Sequence, residues 1–170
     1  PYPPSPKVIE ALRQLPPDAF RKYPDPLSTA FREACAARYG YACADWVIAG
    51  NGLDEILALA VRTLVDPGEL ILSPYPTYTL YETLAQLHGA AIRVVDLNEE
   101  FQLTETFFQM QARLVFLPRP NAPTGVVCPR EQVERLCREC QGVVFVDEAY
   151  VDFGEDNCMD LPKRYPNVIV

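Results

Sequence analysis

Histidine is almost missing from this chain: His88 is the only one in 170 residues. Of the six cysteines, at 35, 43, 128, 137, 140 and 158, Cys137 and Cys140 could be half of a zinc or redox site, but a structural zinc needs four ligands and His88 is the only histidine to join them. The spacing of the six is irregular, and Val133, Leu136, Cys137 and Cys140 recur at i, i+3, i+4 and i+7, one helical face turned toward a core. They read as reduced thiols of a cytoplasmic protein, with no metal site. There is no Lys/Arg-rich run, and 15 Lys+Arg against 23 Asp+Glu leave a formal charge of −8, which excludes a nucleic-acid partner. No uninterrupted apolar run approaches the ~18 residues of a membrane span. The opening PYPPSPKVIE lacks the charged-then-apolar plan of a secretory signal. No internal repeat or low-complexity linker is visible.

What is present is apolar and finely punctuated. Hydrophobic residues make up 49% of the chain and charged residues 22%, enough to build a buried core. Prolines number 17 in 170, against a usual share of about 5%, and stand mostly between apolar segments. Val8, Ala11, Leu12 and Leu15 predict a first helix, ended by Pro16-Pro17. Leu27, Ala30, Phe31 and Ala34 predict a second, closed by Gly40. A short strand is expected at Trp46–Ile48, with Trp46 in the core. Leu53, Ile56, Leu57, Ala60 and Leu64 carry a helix to the turn Asp66-Pro67-Gly68. Leu70–Leu72 reads as a strand, and Thr77–His88 as a helix stopped by Gly89. Ile92–Val95, Leu114–Leu117 and Val143–Val146 are further strands, and Pro129–Cys140 is a helix. Short apolar strands alternating with helices are what a mainly parallel sheet covered on both faces requires. The expected fold is thus α/β, in three layers, with its ligand beyond the carboxyl ends of the strands. The apolar run Val168–Val170 looks like one more strand, so the chain is expected to continue past both ends.

Four segments carry candidate chemistry. Val143–Tyr150 is an apolar strand ending in Asp147-Glu148, which places carboxylates at the ligand edge; alternatively, both acids merely cap the next element. An ATPase magnesium site also follows this plan, but no Gly-x-x-x-x-Gly-Lys-Ser/Thr loop precedes it. Arg119–Gly125, after Leu114–Leu117, forms a rigid turn. Gly50–Glu55 joins a strand to a helix and offers free N–H groups to a phosphate, although such glycines also serve tight turns. Ser73–Tyr78 puts aromatic rings at another such mouth, to pack or to stack on a flat ligand. All four converge on one sheet edge and together suit a flat, phosphorylated, nitrogen-containing ring.

Read in order, PYPPSP, KYPDP, GNGLDEIL, PYPTYTLY, RPNAPTG and VFVDEAYVDF resemble the pyridoxal-phosphate aminotransferases of fold type I, and within them the histidinol-phosphate aminotransferase family, over nearly the whole chain. The resemblance implies pyridoxal 5'-phosphate as cofactor. Asp147 matches the aspartate that pairs with the pyridine nitrogen, where a carboxylate favours the protonated ring. Tyr150 matches a tyrosine on the ring's phenolic oxygen, Tyr78 the residue stacked on the ring, and the backbone at Leu53 and Asp54 the phosphate cup. Tyr23 matches a tyrosine reaching the cofactor phosphate of a neighbouring subunit, which implies a homodimer. Tyr2 matches a substrate-side residue. Residues 1–25 would then be an arm on the dimer and substrate side, and residues 26–170 part of the large cofactor domain.

Two departures stand out. The family's Asn-Pro-Thr-Gly has Ala122 at its asparagine position, with Asn121 one residue earlier, so either Tyr150 serves the phenolic oxygen alone or Asn121 turns inward. The family's Schiff-base lysine, in a Ser-x-Ser-Lys setting, is absent: only Lys7, Lys22 and Lys163 occur. The resemblance therefore implies roughly the first half of an enzyme that transfers an amine between histidinol phosphate and 2-oxoglutarate, giving imidazole-acetol phosphate and glutamate, with no catalytic residue in this segment. The alternatives are a lyase of the same fold, resembling threonine-phosphate decarboxylase, or a non-catalytic truncated module. Elsewhere, His88 is placed to bond free carbonyls at a helix end, and Asp152, Glu155, Asp156, Glu99 and Glu100 are expected on solvated surface.

Overall fold

The computed structural model describes residues 3–170, and the chain divides into two compact units, one ending at Ala49 and one spanning Gly50–Val170. The first unit is helical. Helix α1 (Pro6–Arg13) opens on Ser5, whose hydroxyl accepts the Lys7 N–H at 3.4 Å. Helix α2 (Thr29–Tyr39) closes on Gly40. The Asp25 carboxylate accepts the N–H of Leu27 at 3.0 Å and of Thr29 at 2.7 Å, and the Thr29 bond chiefly holds its carboxyl below the usual value. The strand expected at Trp46–Ile48 does not form. Ala44–Trp46 is instead a short 3-10 turn. The Arg32 guanidinium takes the Val47 carbonyl at 2.7 Å, an acceptor that a ladder would have needed, and the Ala44 carbonyl at 2.9 Å. With no sheet face to bury it, Trp46 is half exposed and stacks on Tyr41 at 5.4 Å rather than entering the core.

The second unit is a five-stranded sheet with helices on both faces, as the alternation of segments predicts. Its elements are α3 (Leu53–Leu64), β1 (Leu70–Tyr75), α4 (Leu80–His88), β2 (Ala91–Asp96), α5 (Glu105–Phe108), β3 (Leu114–Pro118), α6 (Arg130–Glu139), β4 (Val143–Asp147) and β5 (Val168–Ile169). The strand order is β2-β1-β3-β4-β5, with every neighbouring pair parallel. Alternation along β3 and β4 divides the core in two. Leu114, Phe116 and Phe145 pack with Leu57, Val61, Tyr81 and Ala85 of α3 and α4. Val115, Leu117, Val144 and Val146 pack on the other side with Phe107 and Phe108 of α5 and Val133, Leu136 and Cys137 of α6.

Two boundaries of this unit differ from expectation by three residues each. Strand β1 runs on to Tyr75 because Ser73 and Tyr75 each precede a proline, which disfavours the helical region. Helix α4 accordingly starts at Leu80, not Thr77, and Thr77–Thr79 cross from the sheet edge to the helix. His88, before Gly89, places Nε2 2.7 Å from the carbonyl oxygen of Val65, the C-cap of α3. Among the described residues no helix is long and apolar enough to cross a membrane.

Candidate functional site

The strand order reverses between β1 and β3, and such a switch point opens a crevice beyond the carboxyl ends of the strands. A cleft of about 150 Å³ lies there, lined by Leu53, Asp54, Tyr78, Tyr81, Pro118, Pro120, Ala122, Asp147, Ala149 and Tyr150. This is below the ~300 Å³ of a pocket that encloses a drug-sized ligand, so the cleft is a wall that can hold a flat molecule by one face and an edge.

Asp147 ends β4 opposite Pro118 and is only 6% exposed. Its carboxylate is held from two sides: Oδ2 accepts the Tyr81 hydroxyl at 2.6 Å and Oδ1 accepts the Ala149 N–H at 3.0 Å. Tyr81 is completely buried, and its ring stacks on Phe116 at 4.6 Å. Burial first, and the charge of Asp147 second, push the Tyr81 phenol far above its ordinary value, so it remains a donor. Tyr78 stands edge-on to Tyr81 at 5.8 Å, and its hydroxyl donates to the Asp54 carboxylate at 3.3 Å. Partial burial, with Asp54 beside it, also raises the Tyr78 phenol.

Asp54 lies in the first turn of α3, where the main-chain N–H groups have no intrahelical partner. The turn before it reverses at Gly52, whose φ of +82° suits glycine. The Glu55 carboxylate turns back to accept the Asn51 N–H at 2.5 Å, and Leu53 and Asp54 line the cleft.

The structure thus brings together Leu53, Asp54, Tyr78, Asp147 and Tyr150. Asn121 is buried but does not line the cleft: its amide nitrogen donates to the Pro76 carbonyl and the Thr124 hydroxyl, each at 3.0 Å, while Ala122 faces the opening. Tyr23 belongs to the first unit and is fully exposed. Tyr2 lies outside the described residues. Tyr81 escaped the sequence reading, although its i+3 spacing from Tyr78 puts both rings on one side of the helix start.

A second group also escaped it. Behind the cleft, the Arg119 guanidinium donates to the Cys128 carbonyl at 2.8 Å and to Asp156 Oδ1 at 2.6 Å, and it lies 3.7 Å from Glu148 Oε1. Asp156, expected as plain solvated surface, is half exposed and paired to this buried cation. Burial lifts the Glu148 carboxyl above its usual value, although the Cys158 N–H and Arg119 oppose it. The thiols of Cys128 and Cys158 are pushed up to about 12 by burial, and that of Cys137 to about 11. All six cysteines are unpaired.

Fold and cleft together define an open parallel α/β protein whose site sits at the strands' carboxyl edge. More specifically, the chain belongs to the aminotransferase class I and II family, whose model matches residues 1–170. It is 44% identical over 170 residues to the histidinol-phosphate aminotransferase of Rippkaea orientalis, covering 100% of this chain and 48% of that one. A crystal structure of histidinol-phosphate aminotransferase from Sinorhizobium meliloti in complex with pyridoxal-5'-phosphate superposes with a TM-score of 0.83 at 25% identity, over 97% of this chain and 47% of that one. L-threonine-O-3-phosphate decarboxylase from Porphyromonas gingivalis shares the fold, with a TM-score of 0.78 at 21% identity over 95% of this chain and 49% of that one. The chain therefore spans about half the length of the relatives it matches.

Proposed function

We propose that this chain supplies the cofactor-binding half of a pyridoxal-phosphate aminotransferase that moves an amine between histidinol phosphate and 2-oxoglutarate. The observation that carries the reading is the buried Asp147 carboxylate, oriented by Tyr81 and Ala149 at a cleft shared with Tyr78 and the start of α3. The donor set fits pyridoxal phosphate. Asp147 would hold the protonated ring nitrogen, the N–H groups of Leu53 and Asp54 would take the phosphate, and Tyr78 would cover one ring face. Tyr150, half exposed at the cleft, would donate to the phenolic oxygen. The commitment of Asn121 to Pro76 and Thr124 supports Tyr150 as the sole protein donor there. When bound, the cofactor supplies an electron sink that eases loss of a proton from the amine-bearing carbon. The relative from Rippkaea orientalis supports histidinol phosphate as substrate.

The reading includes a homodimer in which Tyr23 reaches the neighbouring subunit's cofactor phosphate, and its full exposure leaves it available for that contact. Residues 1–25, with Tyr2, would form the arm on the dimer and substrate side, and the unpaired cysteines support a cytoplasmic setting. The test is an assay of the full-length protein with histidinol phosphate. Glutamate formation that requires 2-oxoglutarate is expected, and Asp147→Ala should lower its rate at least 100-fold. Release of carbon dioxide from a phosphorylated amino acid without 2-oxoglutarate would overturn the reading in favour of a lyase, and no turnover at all would favour a binding module.

A further inference from the structure

We propose that Arg119 is a positioning residue for Asp147, an inference that rests on the cofactor reading above. Arg119 follows β3 directly, and its main-chain N–H donates to the Asp147 carbonyl at 2.8 Å. Its side chain, 3% exposed, turns away from the cleft. There the guanidinium reaches three segments. Nε donates to the Cys128 carbonyl at 2.8 Å. Nη2 donates to Asp156 Oδ1 at 2.6 Å, and Nη1 donates to the Asp156 carbonyl at 3.4 Å. Nη1 also lies 3.7 Å from Glu148 Oε1, which accepts the Cys158 N–H at 2.6 Å.

An apolar side chain of the same volume would fill this space without desolvating a charge. What arginine adds is a rigid fork whose donors point at separate acceptors. Through its own place before Pro120 and through Glu148, Arg119 ties together two of the segments that line the cleft, Pro120 and Ala122 from one and Asp147, Ala149 and Tyr150 from the other. Glu148 is the next residue after Asp147, its side chain is 7% exposed, and its Oε2 is buried with no hydrogen-bond partner among the described residues. Removing the guanidinium would leave this carboxylate only the Cys158 N–H and free it to shift, carrying the Asp147 turn with it. A small displacement of a group that must meet a ligand atom is costly.

The test uses the full-length protein, freed of cofactor and titrated with pyridoxal phosphate while its fluorescence is followed. Arg119→Met should weaken binding about tenfold when Asp147 is intact, and by less than about twofold in an Asp147→Asn background, because the clamp acts through that carboxylate. Arg119→Lys keeps the charge without the fork and should fall between; it decides the matter if the methionine variant does not fold. Arg135→Met, which breaks a surface pair with Glu105, should leave the affinity unchanged. Unchanged affinity in the Arg119 variants, or an equal loss in both backgrounds, would overturn the proposal and leave Arg119 a structural residue only. If the unsubstituted protein binds no pyridoxal phosphate, the cofactor reading fails first and the positioning role falls with it.

Discussion

At the scale of single residues, the site depends on what holds Asp147, and Tyr81 is its nearest partner. Tyr81→Phe keeps the ring against Phe116 and deletes only the hydroxyl that bonds Oδ2 at 2.6 Å. A buried carboxylate that loses such a donor costs about 1.5–3 kcal/mol, a loss that urea denaturation at neutral pH should show. The pH dependence carries a second signature. The folded state raises the Tyr81 phenol above the ordinary value of about 10, so the protonated form favours folding. That stabilisation is present in full below pH 10 and is lost as pH rises through the alkaline range, where the unfolded chain ionises first. Tyr81→Phe should therefore be less sensitive to alkali than the unsubstituted protein, and equal alkaline sensitivity would refute the assignment. The thiols offer an independent check at this scale. With Cys128, Cys137 and Cys158 raised by burial and Cys43 exposed, iodoacetamide should label Cys43 in the native protein well before those three.

At the scale of elements, the sheet requires glycine at 142, where β3 and β4 start side by side. A Cβ there would overlap the carbonyl oxygens of Ala112 and Arg113, and the next residue donates its N–H to that Arg113 oxygen at 3.0 Å. Gly142→Ala should cost about 1–3 kcal/mol by such overpacking, seen as a lower urea midpoint with an unchanged slope. These strands were legible because a buried parallel strand is a bare apolar run, and Leu114–Leu117 and Val143–Val146 are that pattern. Trp46–Ile48 imitates the pattern, but it lacks a ladder partner, and sequence does not reveal that Arg32 takes the Val47 carbonyl. Helix α5 is one turn long, too short for periodicity to register. Within the site, residues on motifs at the loop mouths could be read, whereas Tyr81 and Arg119 act through partners 66 and 37 positions away. Contacts of that range are set by the packing of strands and helices, which no local pattern encodes.

At the scale of the whole molecule, the proposed chemistry needs an amine to anchor the cofactor, and the placement of lysines within these residues argues against their providing it. The three are Lys7, Lys22 and Lys163. Lys7 lies in α1 and Lys22 shares a surface pair with Asp18 at 3.1 Å, while Lys163 ends a 3-10 turn after β4. None lines the cleft that gathers Asp147, Tyr78 and the start of α3. The anchoring lysine is therefore predicted to come from sequence outside these 170 residues, in keeping with relatives about twice as long. Borohydride reduction of the loaded full-length protein, followed by peptide mapping, should place the pyridoxyl group on a lysine outside this segment. A stoichiometric label on Lys7, Lys22 or Lys163 would refute this prediction and place the anchoring amine within these 170 residues.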